Sequence, residues 1–212
     1  MALVAFDFDG TLSTDEMTVL LGKQCGVADE MAAITEQAMN DELDYAESLR
    51  RRVALLEGLD GQSVQNAFEE ISFRPGAPEV LSDLARANVT TAILTGGFVR
   101  GVRHALDAAD VSVDIIVANE LEVADKHLTG AVSGPLVEGT KDVALRAIVA
   151  DRELTLADTI AVGDGANDVP MLRAAGTSIG FQPKPAVEAS CDTTVTSMDE
   201  LRGVLVEHGL LS

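Results

Sequence analysis

The chain has 212 residues, with 35 Asp+Glu against 15 Lys+Arg and a formal net charge of −20 at pH 7. So negative a field repels phosphate backbones and anionic lipid, which argues against nucleic-acid binding through a basic patch and against docking on an acidic membrane. With 47% hydrophobic residues the chain is too apolar to stay unfolded, and at roughly 150 residues per domain it makes one globular domain or one with an insertion.

Residues 2–6 form a continuous apolar run, the pattern of a strand buried on both faces of a parallel sheet. Asp7 and Asp9 follow directly. Two apart in extended geometry, they point to the same side, and adjacent carboxylates repel unless a cation joins them. Residues 15–72 then keep helical periodicity without a convincing strand. Met31, Ile34 and Ala38 hold one spacing, Leu49, Val53 and Leu56 another, and Val64, Ala67, Phe68 and Ile71 a third, which predicts an insert of about four helices. Glu16 lies in the first turn of the first of these, where the dipole favours an acid. Farther along, Tyr45, Leu49, Arg52 and Leu56 share one helical stripe, so an arginine faces the apolar side. A buried guanidinium is costly unless paired, and Arg52 should therefore meet a carboxylate from the protein or from a ligand.

The breaker cluster at 74–78 returns the chain to the sheet. Apolar runs at 89–94, 114–118, 159–162, 177–180 and 193–195 predict further strands, and helical patterns at 99–108, 141–149, 168–175 and 198–208 lie between most of them. A short segment at 121–133 suits a hairpin flap. Alternating strand and helix predict an α/β fold, a doubly wound parallel sheet of Rossmann type with an inserted helical cap. The expected division is a core of residues 1–14 and 73–212 and a cap of residues 15–72.

Polar residues gather where the strands end, the place where open α/β sheets bind ligands. After 89–94 come Thr95, Gly96 and Gly97, expected to open a helix near Phe98. Glycines let a backbone approach an anion, and a helix start points free amides at it. After 159–162 come Gly163, Asp164, Gly165, Ala166, Asn167 and Asp168. The third glycine of a dinucleotide fingerprint is missing here, and the loop is acidic where a pyrophosphate would lie, so it suits a metal instead. Lys141 begins a helix, a position the dipole disfavours for a cation, and an anion nearby would explain it.

In order along the chain, Asp7-Phe8-Asp9-Gly10-Thr11, Thr95-Gly96-Gly97, Lys141 and the 163–168 loop resemble the four motifs of the haloacid dehalogenase superfamily of aspartate-based phosphotransferases. The helical insert after the first strand is similar to that of its phosphoserine phosphatase branch, and the likeness extends through Met39 to residues 43–53. Tyr45 stands where relatives often have Phe, and Thr95 where they often have Ser. The resemblance implies magnesium-dependent hydrolysis of O-phospho-L-serine to serine and phosphate, the last step of serine biosynthesis, with Asp7 as nucleophile and Asp9 as acid and base. It implies Mg2+ held by Asp7, the Asp9 backbone carbonyl and Asp164, with Asp168 beside them. It further implies that Thr95, Gly96, Gly97, Lys141 and Asn167 hold the phosphoryl oxygens, while Glu16 and Arg52 hold the two charged ends of the serine and Met39 and Tyr45 also belong to the substrate site. Other readings are hydrolysis of a different small phosphate ester, phosphotransfer to an acceptor alcohol such as homoserine, and a non-enzymatic phosphoacceptor domain, against which a closed cap argues.

Only 3% of residues are aromatic, with no Trp and a single Tyr, so the core is aliphatic and stacking platforms for bases are absent. Cys25 and Cys191 are far apart and read as thiols of a reducing compartment. No apolar run approaches the roughly 18 residues of a membrane span, and a cytoplasmic monomer or homodimer is expected. His104, His127 and His208 are dispersed without ligand spacing. Four Lys beside 11 Arg, with acids in excess, suit a protein working in concentrated salt.

Overall fold

The computed structural model describes residues 2–39 and 42–212, and the Met39 side chain lies outside the described residues. The first strand, β1 (Leu3–Phe6), leads into α1 (Met17–Cys25), α2 (Ala28–Met39), α3 (Tyr45–Ala54) and α4 (Gly61–Glu69). Next come α5 (Ala77–Arg86), β2 (Thr90–Phe98), α6 (Val99–Ala108), β3 (Ile115–Ala124) and β4 (His127–Ser133). The chain ends with α7 (Lys141–Asp151), β5 (Thr159–Gly163), α8 (Val169–Ala174), β6 (Thr177–Phe181), α9 (Pro185–Glu188), β7 (Thr193–Val195) and α10 (Met198–Glu207).

Among the described residues the strands form one sheet in the order β4-β3-β2-β1-β5-β6-β7. β1 is central and pairs in parallel on both sides, with Phe6 opposite Ile93 of β2 and Val162 of β5. The strand order reverses around β1, and that switch point opens a crevice at the carboxyl ends of β1, β2 and β5. Side chains alternate across the sheet. Val4, Phe6, Ile93, Ile160 and Val162 join the cluster under α5, α6 and α10, while Leu3, Ala5, Ala92, Leu94 and Ala161 pack on α7, α8 and α9.

The sheet departs from the all-parallel expectation at one edge, where β4 runs antiparallel to β3. The cause is the two-residue turn at Asp125 and Lys126, both at positive φ (48° and 67°), the hairpin geometry whose twist matches the flanking strands. The segment expected as a flap is thus the outer half of β3 plus β4. Its tip is tied to the α3–α4 connection by backbone bonds: Gly58 N donates to Leu128 O at 2.9 Å, Leu128 N to Leu59 O at 2.9 Å and Gly61 N to Lys126 O at 3.0 Å.

The helices between β1 and α5 start and stop as their sequence directs. The Asp44 side chain accepts from the amides of Ala46 and Glu47 at the start of α3, and Asp60 does the same for Gln62 and Ser63 at α4, each cap contributing about 1 kcal/mol. Gly26, at φ 75°, ends α1 in the left-handed conformation that glycine adopts without a steric penalty. Leu20, Leu21, Met31, Leu49, Val53, Leu56, Val64 and Phe68 are buried in the same cluster that lies under α5 and α6. None of the described helices is long and apolar enough to cross a membrane.

Candidate active site

Asp7 stands just beyond β1, its backbone N–H bonded to Val162 O of β5 at 2.9 Å, and the residue is 3% exposed. Lys141, the first residue of α7, is equally buried and donates to Asp7 Oδ1 and to Asp168 Oδ1, each at 2.5 Å. The lysine that sits against the dipole of its own helix is thus held by two carboxylates. Burial alone would lower its pKa, but Asp168 and Asp7 outweigh that and raise it, so Lys141 stays charged. Asp168 is fully buried; its second oxygen accepts the N–H groups of Asp164 at 3.0 Å and Gly165 at 2.9 Å, which fixes the acidic loop.

Asp7, Asp164 and Asp168 each bring an oxygen within 4.8 Å of the others. Burial first, then the Asp168 charge, raise the Asp7 pKa well above its usual value against the pull of Lys141, and Asp164 is raised for the same two reasons. Carboxylates so placed carry more negative charge than one buried lysine offsets, and three hard oxygens suit a divalent cation of the magnesium or calcium type. Gly10, at φ 88°, makes the close approach possible, since a Cβ there would lie 2.9 Å from Asp164 Oδ2.

Asp9 differs from its neighbour. Its Oδ2 accepts the Met17 N–H at 3.3 Å, while its Oδ1 is buried without a hydrogen-bond partner among the described residues. Burial pushes its pKa from 3.8 to about 7; the Met17 N–H opposes this and the nearby Glu16 charge adds to it. The two aspartates thus differ in setting, one with its pKa raised by burial and the other clamped by a lysine.

One cavity of about 470 Å³ is lined by Asp7, Asp9, Glu16, Tyr45, Arg52, Thr95, Gly96, Gly97, Lys141, Asp164 and Asn167. Of the other residues expected in the site, Asp168 lies directly beneath it, and the Met39 side chain lies outside the described residues. Arg52 is 8% exposed on the inner face of α3, as the helical stripe predicts. Tyr45 begins that helix and closes over Gly96, where a Cβ would lie 1.7 Å from its hydroxyl oxygen.

Two local expectations need correction. Glu16 is not within the first turn of α1 but immediately before it, and its side chain makes no cap; the Asp9 carboxylate takes that place and leaves Glu16 to the cavity. Thr95, Gly96 and Gly97 do not open α6. They belong to the end of β2, which runs to Phe98 because Phe98 pairs with Asn119 across a register shift after Leu94. The Gly97 N–H is engaged by Thr95 Oγ1 at 3.0 Å rather than left free at a helix start.

Asn119 was not singled out in the sequence, yet it orders this loop. It is fully buried, donates to Gly96 O at 3.0 Å and accepts from Leu136 N at 2.9 Å. The signal available was the one used for the other strands, a polar residue following the apolar run at 114–118. Lys184 was missed as well: it lines the cavity with its Nζ 3.8 Å from Asp164 Oδ2.

Two aspartates at the switch point of a Rossmann-type sheet, with a buried lysine and an acidic loop suited to a cation, form a site fitted to hydrolase chemistry. Residues 4–173 match the family model for haloacid dehalogenase-like hydrolases, and the chain belongs to that family. Among its relatives, the phosphoserine phosphatase of Halobacterium salinarum is 53% identical over 210 residues, covering 99% of this chain and 100% of that protein. The phosphoserine phosphatase of Streptococcus thermophilus is 40% identical over 200 residues, covering 93% and 91%. A solved structure of a substrate-bound phosphoserine phosphatase complex matches with TM-score 0.89 at 35% identity, covering 97% of each chain. A phospho-aspartyl intermediate analogue of phosphoserine phosphatase matches with TM-score 0.88 at 36% identity, covering 97% and 98%.

Proposed function

We propose that this chain is a magnesium-dependent phosphoserine phosphatase, hydrolysing O-phospho-L-serine to serine and phosphate in the cytoplasm as the last step of serine biosynthesis. The observation that carries this reading is that the Asp7–Lys141–Asp9 centre shares one cavity with Glu16 and Arg52, an anionic and a cationic side chain that suit the ammonium and carboxylate of an amino acid.

An Asp7 carboxylate oxygen attacks phosphorus in line, forming an Asp7–phosphorus bond as the bond from phosphorus to the serine oxygen breaks. Asp9, held neutral by its buried setting, gives its proton to the departing serine oxygen. Water then attacks the aspartyl-phosphate, giving one proton back to Asp9, and Asp7 is released as a carboxylate. Lys141, Thr95, the Gly96 amide and Asn167 hold phosphoryl oxygens where charge shifts in the transition state. The Gly97 amide joins them only if it leaves Thr95 Oγ1. Mg2+ would be held by Asp7, the Asp9 carbonyl and Asp164, with Asp168 behind, and when bound it neutralises the charge of the phosphoryl group and the nucleophile. Residues 15–72 act as a cap that excludes bulk water and brings Glu16 to the ammonium and Arg52 to the carboxylate of serine.

The test is phosphate release from phosphoserine, phosphothreonine, sugar phosphates and an aryl phosphate, with magnesium and with a chelator. Phosphoserine should be preferred, Asp7→Asn should abolish turnover in a folded protein, and Arg52→Ala should lose far more on phosphoserine than on the aryl phosphate. A sugar phosphate turned over faster than phosphoserine, or an active Asp7→Asn protein, overturns the reading.

A further inference from the structure

Arg52 is buried, yet among the described residues its guanidinium meets no carboxylate. Its contacts are neutral oxygens: Nε donates to Ser48 O at 3.4 Å, and Nη1 donates to Thr18 Oγ1 at 3.2 Å. The Ser48 bond lies within α3. The Thr18 bond reaches across to α1 and is the contact that fixes the direction of the fork. One turn before Arg52, Ser48 lines the same cavity and is fully buried, and among the described residues its hydroxyl has no hydrogen-bond partner. A guanidinium and a hydroxyl facing one cavity suit an acceptor-rich ligand group.

We propose that Thr18 is a positioning residue for substrate selection, holding the Arg52 guanidinium in the orientation that receives the substrate carboxylate. The inference rests on the phosphoserine reading given above. Thr18 suits the task. It is 5% exposed, its β-branched side chain has few rotamers, and it lies in the first turn of α1, where its i−4 neighbour, Thr14, precedes the helix. The hydroxyl is therefore directed at α3 instead of back-bonding to a carbonyl of its own helix. A long, flexible arginine held before the ligand arrives loses less freedom on binding, so the effect of Thr18 falls on the carboxylate end and not on the phosphoryl chemistry.

The experiment compares phosphoserine with O-phosphoethanolamine, which keeps the ammonium and phosphate and lacks the carboxylate. Thr18→Val should raise KM for phosphoserine about tenfold with kcat held within about twofold, and leave phosphoethanolamine kinetics within about twofold. Thr18→Ser should restore the native KM, and Thr18→Val added to Arg52→Ala should cost nothing further. Equal losses on both substrates, no loss on either, or an added penalty in the Arg52→Ala background overturns the proposal. Should Thr18→Val melt before the assay temperature, Thr18→Ala is read by the same comparison. Failure of the underlying reading has a different signature: the native protein would not prefer phosphoserine over phosphoethanolamine, and Arg52→Ala would not be selective.

Discussion

The Asp9 carboxylate accepts the backbone N–H of Met17 at 3.3 Å, so the acid that follows β1 also closes the first turn of α1. One side chain thereby links the chemistry to the helix that carries Thr18 and follows Glu16. Among the described residues its remaining oxygen has no hydrogen-bond partner, which leaves it available to exchange a proton with a molecule in the cavity.

Asp9→Asn separates these two duties. The amide oxygen can still accept from Met17, but the side chain can no longer act as acid or base. Turnover of phosphoserine should fall by about 10²–10⁴-fold, while the melting temperature at pH 8 stays at or above the native value because a buried charge is gone. Asp9→Ala removes the cap as well and should melt below Asp9→Asn by about 1 kcal/mol of stability. Steady-state phosphate release and thermal melts read both; a variant that keeps the native rate refutes the acid assignment.

The raised pKa values of Asp7 and Asp9 set a pH dependence for the cation-free protein. Between its ordinary value of 3.8 and about 7, the Asp9 carboxyl is ionised in the unfolded chain and holds its proton more tightly in the folded one, and burial shifts Asp7 in the same direction. The folded state then binds more protons than the unfolded, so this contribution to stability, present below 3.8, is lost as pH rises toward about 7. A divalent cation favours the ionised forms. The gap in melting temperature between magnesium-loaded and chelator-treated protein should therefore widen with rising pH across this window, and a gap that narrows contradicts the assignment.

Gly96 and Tyr45 offer a test of cap closure. A Cβ at position 96 would lie 1.7 Å from the Tyr45 hydroxyl oxygen and 3.0 Å from the ring carbon bearing it. Gly96→Ala must push the start of α3 away, so kcat/KM for phosphoserine should fall at least about tenfold. Deleting the hydroxyl removes the worse clash, and Gly96→Ala combined with Tyr45→Phe should recover part of that loss, measured as coupling in a double-mutant cycle. Full additivity of the two changes would mean that they do not meet in the closed state.

What the sequence revealed were residues that contradict their own local setting. Two acids ending an apolar strand, a lysine at a helix start and an arginine on an apolar stripe each needed an explanation, and Asp7, Asp9, Lys141 and Arg52 meet in one cavity. What stayed hidden depends on partners distant in the chain. The extension of β2 to Phe98 follows from its pairing with Asn119, and the glycine pair before it reads locally as a helix start. Thr18 looks like an ordinary helix residue until Arg52, 34 positions later, is laid against it. The hairpin at 121–133 is legible in the sequence, but nothing local shows that its first strand continues the one at 114–118 and so adds an antiparallel edge to the sheet.

The net charge of −20 remains the property of the molecule least connected to its site, and it yields the last prediction. Lys141 and Lys184, two of the four lysines, are turned inward to the acids of the cavity. The outer surface is left with few cations among many carboxylates, such as the exposed Asp107, Asp110, Asp199 and Glu207. Their mutual repulsion destabilises the compact state and is screened by salt, the Debye length falling from about 10 Å at 0.1 M to about 3 Å at 1 M. Raising KCl from about 0.1 M to about 2 M should raise the melting temperature and preserve activity. Replacing those four acids by their amides should raise the melting temperature at low salt and flatten its dependence on KCl. A melting temperature that falls with KCl would show that repulsion between surface acids is not what limits stability.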